Sequence, residues 1–182
     1  MKVLSTKFND VKIIIPDIYS DSRGFFYESY NSSDFESVVG KPVYFKQDNQ
    51  SKSKKNVIRG LHYQLQPDAQ GKLIHVLKGK ILDVIVDVKA GSETLGQWYG
   101  IVLSDTNNYQ LWIPAGYAHG FAALTDEVEI FYKATNYYNP EKERIIKWND
   151  PDINIDWGID NPIISSKDEN GCLFKNADYI EI

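Results

Sequence analysis

Residues 80–89 carry an alternation that strongly constrains the fold of this chain. Every even position from 82 to 88 is leucine or valine, whereas the odd positions include Asp83 and Asp87. Because side chains of a β-strand point alternately to its two faces, this period of two predicts a half-buried strand. The apolar run 72–77 precedes it, and the intervening Lys78-Gly79-Lys80 is short enough for a hairpin turn.

Short segments rich in β-branched and aromatic residues continue along most of the chain. Turn-forming Gly, Pro, Asn or Asp residues separate most of them. The further predicted strands are 11–15, 24–30, 43–47, 57–64, 97–103, 109–113, 121–124 and 127–133. Many short strands at close spacing are typical of a β-sandwich or barrel.

Helix is predicted to be a minor component. Residues 33–39 are the one early candidate, with Ser33 or Asp34 as the N-cap and Gly40 ending the helix. The tail after Pro151 fits neither the helical nor the strand pattern. We therefore predict a mainly β chain with a few short helices.

The scarcity of cysteine and histidine excludes several classes of protein. The 182 residues include one cysteine, Cys172, and three histidines, His62, His75 and His119. Neither a disulfide framework nor a cysteine-based zinc site can be built from this set. A net charge of −5 without a basic block also argues against a groove for nucleic acid. The length fits one domain, and no linker or repeat marks a boundary.

The N-terminal sequence predicts a cytoplasmic location. Lysine, asparagine and aspartate interrupt residues 1–16 at five positions, so no apolar stretch there is long enough for a signal peptide or a membrane span. We therefore expect a protein without membrane association.

The segment IPAGYAHGF, residues 113–121, resembles the second signature motif of the cupin, or jelly-roll, superfamily. Metal-binding cupins carry two histidines one residue apart in their first signature, where the alternation of a strand puts both on one face. The corresponding segment RGLHYQ has Gln64 in place of the second histidine. A metal site of His62, Gln64 and His119 is chemically weak, so we predict a jelly-roll barrel that uses no metal or other cofactor.

Several motifs together resemble those of the dTDP-4-dehydrorhamnose 3,5-epimerase family. They occur in the family's order and approximate spacing over nearly the whole chain: DSRGFFYE (21–28), QDNQS (47–51), RGLHYQ (59–64), QGK (70–72), YKAT (132–135), WNDPDI (148–153), IDW (155–157) and SSKD (165–168). Asn136 departs from the family pattern, which has aspartate there.

This resemblance implies an isomerase that acts on a dTDP-linked 4-keto sugar. The expected reaction inverts C3 and C5 of dTDP-4-dehydro-6-deoxy-D-glucose, next to the C4 ketone, and forms dTDP-4-dehydro-L-rhamnose. The resemblance also implies one jelly-roll domain over residues 1–182, with the N-terminal strands and the C-terminal tail packed around the barrel. It further implies a homodimer in which N-terminal strands are exchanged between subunits.

Epimerisation beside a ketone needs a base, a group that stabilises the enolate oxygen, and an acid that returns a proton to the other face. His62 suits the base, because imidazole ionises near neutrality. The family resemblance implies Asp168 as its carboxylate partner. Lys72 is a compact cation that can face the enolate, and His119 can add a hydrogen-bond donor there.

Strand parity separates two further candidates. Tyr132 shares its parity with Val128 and Ile130, which predicts that its side chain points into the barrel. The resemblance implies that this tyrosine is the proton donor. We interpret His75 as structural, because its parity in the strand is opposite to that of Lys72.

A nucleotide diphosphate favours arginine, whose planar and permanently charged guanidinium makes bidentate contacts. Two of the three arginines, Arg23 and Arg59, precede glycine in the matched motifs and are the candidates for this contact. Candidates for contacts to the base and to polar edges of the nucleotide are Phe26, Glu28, Gln47 and Asn49. The resemblance adds Tyr138, Glu143 and Lys167 as nucleotide or sugar contacts. A solvent-exposed ion pair would explain Glu143 and Lys167 nearly as well.

Three alternatives stay open on the sequence. An epimerase of C3 only or C5 only, or one acting on another nucleotide-linked 4-keto sugar, would use the same fold. A metal-dependent cupin enzyme would need bound iron, manganese or zinc. A non-catalytic sugar-binding module would bind the dTDP-sugar without exchanging its carbon-bound protons with solvent.

Overall fold

Antiparallel β-strands dominate the computed structural model, which describes residues 1–181. The strands are β1 (Lys2–Ser5), β2 (Lys12–Ile15), β3 (Tyr19–Asp21), β4 (Gly24–Phe26), β5 (Gln47–Lys54), β6 (Ile58–Gln64), β7 (Lys72–Lys78), β8 (Lys80–Asp87), β9 (Trp98–Ser104), β10 (Gln110–Ile113), β11 (Tyr117–Ala123), β12 (Glu127–Ala134) and β13 (Glu143–Ile145). The helices are α1 (Ser32–Val39), α2 (Ser166–Glu169) and a 3-10 helix (Phe174–Asn176). Residue 182, which ends the predicted domain, lies outside the described residues. Within those residues, no helix has the length and apolar character needed to cross a membrane.

Two sheets lie face to face and form the barrel. The six-stranded sheet has the order β1-β2-β10-β7-β12-β5, and the five-stranded sheet has the order β13-β6-β11-β8-β9. Their inner faces share one apolar core, which includes Ile74 and Val128 of the first sheet and Ile85 and Phe121 of the second. The prediction of a mainly β jelly roll with a few short helices is confirmed.

Each sheet is also covered on its outer face. Helix α1 packs Phe35 against Trp112 outside the six-stranded sheet. The C-terminal segment packs Ile153, Trp157 and Ile180 against the outer face of the five-stranded sheet. This segment supplies a second apolar layer over β8, so the prediction of a half-buried strand at this position is wrong.

The odd positions of β8 point into the barrel. Ile81 and Ile85 belong to the core shared by the two sheets, and Asp83 and Asp87 lie on the same face, fully buried. Side-chain hydrogen bonds from Ser92 and Thr94 offset the cost of burying Asp87, whereas Asp83 bonds, among the described residues, only to His119.

The predicted strand 43–47 is wrong, because the strand begins where that prediction ends and covers Gln47–Lys54. Its eight residues are polar, so hydrophobic alternation cannot reveal it. Pairing with β12 along the whole length of β5 forms the strand instead. Alternate residues are withdrawn from solvent on the barrel side, and they are Gln47, Asn49, Ser51 and Ser53.

Two other strands differ from the predictions at their ends. Strand β4 covers only the first three residues of the predicted 24–30 and pairs with β3 in a separate hairpin. Strand β11 begins at Tyr117, four residues before the predicted 121–124. The short strands β1, β3 and β13 and helix α2 were not predicted, because three or four residues are too few for a periodic pattern.

Asn31 is the N-cap of α1, so the prediction of Ser33 or Asp34 is wrong. The Asn31 side chain accepts hydrogen bonds from the backbone N–H groups of Ser33, at 3.0 Å, and Asp34, at 3.4 Å. Gly40 ends the helix as predicted, in the left-handed conformation with φ of 79°.

Candidate active site

A cavity of about 240 Å³ lies between the two sheets. Strands β5, β7 and β12 form one wall, and β6 and β11 form the other. Five predicted site residues line it together: Arg59, His62, Lys72, His119 and Tyr132. Three further lining residues were not singled out from the sequence: Ser51, Phe121 and Ile130.

Strand register brings the two cavity histidines side by side. His62 of β6 and His119 of β11 are direct partners in the antiparallel ladder, so their side chains share a face. The two backbones approach closely at this point, since a Cβ on Gly60 would lie 2.5 Å from the Cα of Gly120. Gly60 also has a φ of 126°, which side chains disfavour, so the approach depends on glycine.

Lys72 and His75 lie on opposite faces of β7, as their positions in the strand predict. Lys72 lines the cavity, whereas His75 lies on the outer face of the sheet with Nε2 at 2.6 Å from the Tyr27 hydroxyl. Burial there lowers the pKa of His75. Tyr132 of β12 is the ladder partner of the core residue Ile74 and points inward, as predicted.

Helix α2 carries Asp168 to the start of β6. The Ser165 hydroxyl caps this helix and accepts a hydrogen bond from the Asp168 backbone N–H at 3.1 Å. On either side of the helix, single β-bridges join Ile163 to Val57 and Cys172 to Ile146. The short helix is therefore held in place against the strand that bears His62.

His62 and Asp168 form a partly buried pair. The distance from His62 Nε2 to Asp168 Oδ1 is 2.5 Å, and Asp168 is almost fully buried. Burial opposes ionisation of this carboxyl, but hydrogen bonds with His62, Gly60 and Ser165 and the charge of His62 together outweigh it, and the pKa of Asp168 is lowered. Among the described residues, His62 Nδ1 has no hydrogen-bond partner, so this nitrogen is free to accept a proton.

A second histidine–carboxylate pair, which sequence reasoning missed, lies beside the first. His119 Nε2 is 2.9 and 3.0 Å from the two carboxylate oxygens of Asp83. The signal that could have indicated it is parity, because Asp83 shares its face of β8 with Ile81 and Ile85.

Burial alters the acid–base behaviour of Lys72 and Tyr132. It lowers the pKa of Lys72 to about 8, although the negative charges of Asp83 and Glu143 counteract the fall. Burial raises the pKa of Tyr132, although Arg59 acts in the opposite direction. At neutral pH, Lys72 is therefore mainly a cation and Tyr132 keeps its proton.

Strand β5 holds Arg59 at the cavity wall. Arg59 Nε donates a hydrogen bond to Ser53 Oγ at 3.0 Å, and Nη2 donates to the carbonyl of Lys52 at 3.1 Å. A guanidinium has five N–H donors in a planar fork. The remaining donors are available to an anionic ligand.

The predicted contacts Gln47, Asn49, Tyr138, Glu143 and Lys167 form one connected group. The Tyr138 hydroxyl donates to Glu143 at 2.8 Å, and Lys167 Nζ lies 2.5 Å from the same oxygen. Gln47 accepts from the backbone N–H of Tyr138 and donates to Asn49, both at 2.9 Å. The charge of Glu143 acts on two cavity residues, so the group borders the cavity.

The structure does not bring Arg23, Phe26 and Glu28 to this cavity. The β3–β4 hairpin holds Arg23 and Phe26 at the surface, with 89% of the Arg23 side chain and 70% of Phe26 exposed. Arg23 forms an ion pair with Asp21 at 2.6 Å. Phe26 and Glu28 line a separate cleft of about 270 Å³ near the N-terminus.

Gln64 is committed to the backbone of a loop. Its amide nitrogen donates to the carbonyls of Asp68 and Tyr137, and its oxygen accepts from the N–H of Asn139. The weak metal site that includes Gln64 therefore lacks its third ligand. Within residues 1–181, no group of three or more His, Cys, Asp or Glu side chains is arranged to hold a metal ion.

The cavity combines the types of group that removal and return of a carbon-bound proton beside a ketone require. A histidine with a carboxylate partner lies in one sheet, and a protonated tyrosine and a lysine cation lie in the other. Fold and site together place the chain among isomerases built on a cupin-like barrel.

Comparison with known proteins identifies the family. The sequence profile of dTDP-4-dehydrorhamnose 3,5-epimerase matches residues 5–176, and the chain belongs to this family. A Shigella flexneri protein of that name is 52% identical over 179 residues, which are 98% of this chain and 99% of that protein. The motif-based predictions of the family and of an epimerase are confirmed.

Two further relatives bear on the reaction. The crystal structure of dTDP-6-deoxy-D-glucose-3,5-epimerase from Legionella pneumophila, in complex with dTDP-4-keto-L-rhamnose, is 44% identical. It has a TM-score of 0.96, and the match covers 100% of this chain and 98% of that one. A Streptomyces niveus protein named dTDP-4-dehydrorhamnose 3-epimerase is 34% identical over 164 residues, which are 90% of this chain and 79% of that protein.

Proposed function

We propose that the chain converts dTDP-4-dehydro-6-deoxy-D-glucose into dTDP-4-dehydro-L-rhamnose, with the sugar bound in the cavity of His62 and Tyr132. One observation carries this proposal: His62 belongs to β6 of the five-stranded sheet, Tyr132 belongs to β12 of the six-stranded sheet, and both line the same cavity. A base and an acid on opposite walls act on opposite faces of a sugar, and inversion at a carbon requires this arrangement.

The reaction begins with proton removal at C3 or C5. His62 Nδ1 accepts the proton, because Nε2 is committed to Asp168. The electrons of the broken C–H bond move onto the C4 carbonyl oxygen and form an enolate. The Lys72 ammonium and a donor from His119 stabilise this oxygen.

Tyr132 completes each inversion. Burial keeps its hydroxyl protonated, so it can donate a proton to the carbon from the face opposite His62. The C4 ketone re-forms, and the resulting phenolate is stabilised by the nearby positive charge of Arg59. Proton exchange with solvent then restores neutral His62 and protonated Tyr132.

The nucleotide part of the substrate extends from the cavity over the bordering group of Gln47, Asn49, Tyr138, Glu143 and Lys167. Arg59 contacts the diphosphate with the donors that β5 leaves free. Because its phosphates are charged, such a substrate dissolves in water and does not enter a membrane. The proposed substrate is therefore consistent with the cytoplasmic location expected from the N-terminal sequence.

The exposed hairpin supports a homodimer with exchanged N-terminal segments. Tyr19, Phe25 and Phe26 are each more than 60% exposed on this hairpin, and Arg23 projects beside them. An exposed aromatic surface of this kind is typical of an interaction site. In the proposed dimer, Arg23, Phe26 and Glu28 complete the nucleotide site of the other subunit.

Deuterium wash-in tests the proposed reaction. The chain is incubated with dTDP-4-dehydro-6-deoxy-D-glucose in deuterium oxide, and C3 and C5 are followed by NMR. We expect deuterium at both carbons, together with the rhamno-configured product. Incorporation at C3 alone would support the activity named for the Streptomyces niveus relative, and binding without incorporation would support a sugar-binding module.

Turnover is expected to fall as the pH rises through about 8, because the pKa of Lys72 is about 8 and the neutral amine cannot stabilise the enolate. The measurement is kcat at saturating substrate across neutral and alkaline pH. In Lys72→Arg the guanidinium keeps its charge throughout this range. The alkaline loss should therefore disappear in that variant, whatever its kcat, and an unchanged loss would refute the assignment to Lys72.

Mixed dimers test the exchange of Arg23 between subunits. Arg23→Ala and His62→Ala are each impaired alone, but a mixed dimer has one site with both residues intact if Arg23 serves the other subunit. Random mixing should therefore restore about a quarter of the wild-type sites. If Arg23 served its own chain, no site would regain both groups, and mixing would restore nothing.

A further inference from the structure

Two carboxylates of β8, Asp83 and Asp87, are equally buried but very differently partnered. Both are fully inaccessible to solvent. Asp87 accepts hydrogen bonds from the hydroxyls of Ser92, at 2.7 Å, and Thr94, at 2.6 Å, and from the backbone N–H of Lys89, at 2.9 Å. Three donors satisfy this carboxylate, and its role in holding the following loop is evident.

Asp83 has a single partner among the described residues. Both of its oxygens approach the same nitrogen, His119 Nε2, at 2.9 and 3.0 Å. A buried carboxylate with a single donor is costly, because most of its hydration is not replaced. Nearby positive charge would offset this cost, and the cavity contains such a charge in Lys72.

The Asp83 carboxylate also acts on Lys72. Lys72 enters the cavity from β7 of one sheet, and Asp83 faces the interior from β8 of the other. Burial lowers the pKa of Lys72 to about 8, and the charge of Asp83 is the strongest influence against that fall. The two groups that face the proposed enolate, Lys72 and His119, thus share one buried anion.

We propose that Asp83 is a positioning residue of the epimerisation, whose carboxylate orients the His119 ring and keeps negative charge beside the Lys72 ammonium. With Nε2 directed at Asp83, the Nδ1 edge of His119 is the edge left to face the substrate. This inference rests on the proposed function, because it assigns both groups to the enolate oxygen.

Other charged or titratable groups line the same cavity or act on it from neighbouring elements. Arg59 and His62 of β6 and Tyr132 of β12 line it. Glu143 of β13 acts on Lys72 through its charge, and Asp168 of α2 is bonded to His62. Glu143 also supports the charge of Lys72, to a smaller extent than Asp83. Loss of Asp83 therefore weakens the ammonium form without abolishing it.

The test is Asp83→Asn, which keeps the size and shape of the side chain but removes its charge. We expect kcat to fall by about tenfold to a hundredfold, with a smaller change in KM. We also expect the alkaline loss of kcat to move to lower pH by about one unit, because Lys72 then loses its proton more readily. Asp87→Asn is the matched control and should lower the temperature of unfolding without moving the pH profile.

Asp83→Glu provides a second variant that keeps the charge and displaces the hydrogen bonds to His119. Its kcat should fall while its alkaline loss stays near the wild-type pH. Two results would overturn the inference and show that Asp83 only packs in the core. One is a pH dependence of kcat that does not shift in Asp83→Asn, and the other is a wild-type kcat in either variant. A wild-type chain without exchange at C3 and C5 would instead overturn the proposed function, and this inference with it.

Discussion

His62→Ala is expected to abolish turnover and deuterium exchange at C3 and C5 together. One base serves both carbons in the proposed reaction, and without it neither enolate forms. A positioned general base contributes about 10² to 10⁴ in rate, so we expect kcat to fall by about 10³-fold or more. NMR of the substrate in deuterium oxide measures both positions in one experiment.

Asp168→Asn shows whether the buried partner matters to the base. The amide keeps the size of the side chain at 2.5 Å from His62 Nε2, but it cannot balance the charge of the imidazolium. We expect an intermediate loss of kcat, smaller than in His62→Ala. The affinity for dTDP should stay near the wild-type value in both variants, since neither residue belongs to the group proposed to hold the nucleotide. Wild-type exchange at either carbon in His62→Ala would contradict the assignment of the base.

Tyr132→Phe is expected to separate proton removal from inversion. His62 can still form the enolate and return a proton to the same face, so deuterium should enter C3 and C5 while little inverted product forms. Loss of the proton donor should lower kcat for the full conversion by about 10²-fold. The measurement combines the rate of exchange with the ratio of the two sugar configurations.

Tyr109→Phe is the matched control for this variant. Tyr109 is also a partly buried tyrosine packed against the core between the sheets, but it does not line the cavity. Removing its hydroxyl should leave exchange and inversion near wild-type rates. Full inversion in Tyr132→Phe would assign the proton donor to another group, and complete loss of exchange would show that Tyr132 also takes part in proton removal.

Much of the fold follows from short-range patterns. The strands on either side of Gly79, the strands around residues 57–64 and 127–133, and the end of α1 at Gly40 all agree with the sequence predictions. The predicted hairpin at Gly79 is wrong, because β7 pairs with β10 and β12 in one sheet and β8 pairs with β11 and β9 in the other. Hydrophobic alternation and turn chemistry are properties of neighbouring residues, so one sequence is enough to detect them.

Strand β5 shows where this reasoning ends. Its polar sequence has no hydrophobic period, and its alternate residues line the barrel only because β12 offers a ladder to pair with. The environment of β8 likewise depends on the C-terminal segment, about 70 residues further along the chain. This segment covers the outer face of the five-stranded sheet, which would be exposed to solvent if the two sheets were the only layers.

The sequence by itself determined the class of fold, the family and the inward parity of Lys72 and Tyr132, because these depend on motif order and on the two-residue period of a strand. Only the tertiary structure decided which residues meet: Asp168 reaches His62 across 106 positions, and Asp83 reaches His119 across 36. Such pairs arise from the order of strands in a sheet and from the packing of a distant segment. Both are set by burial of apolar surface over the whole chain, and no local pattern records them.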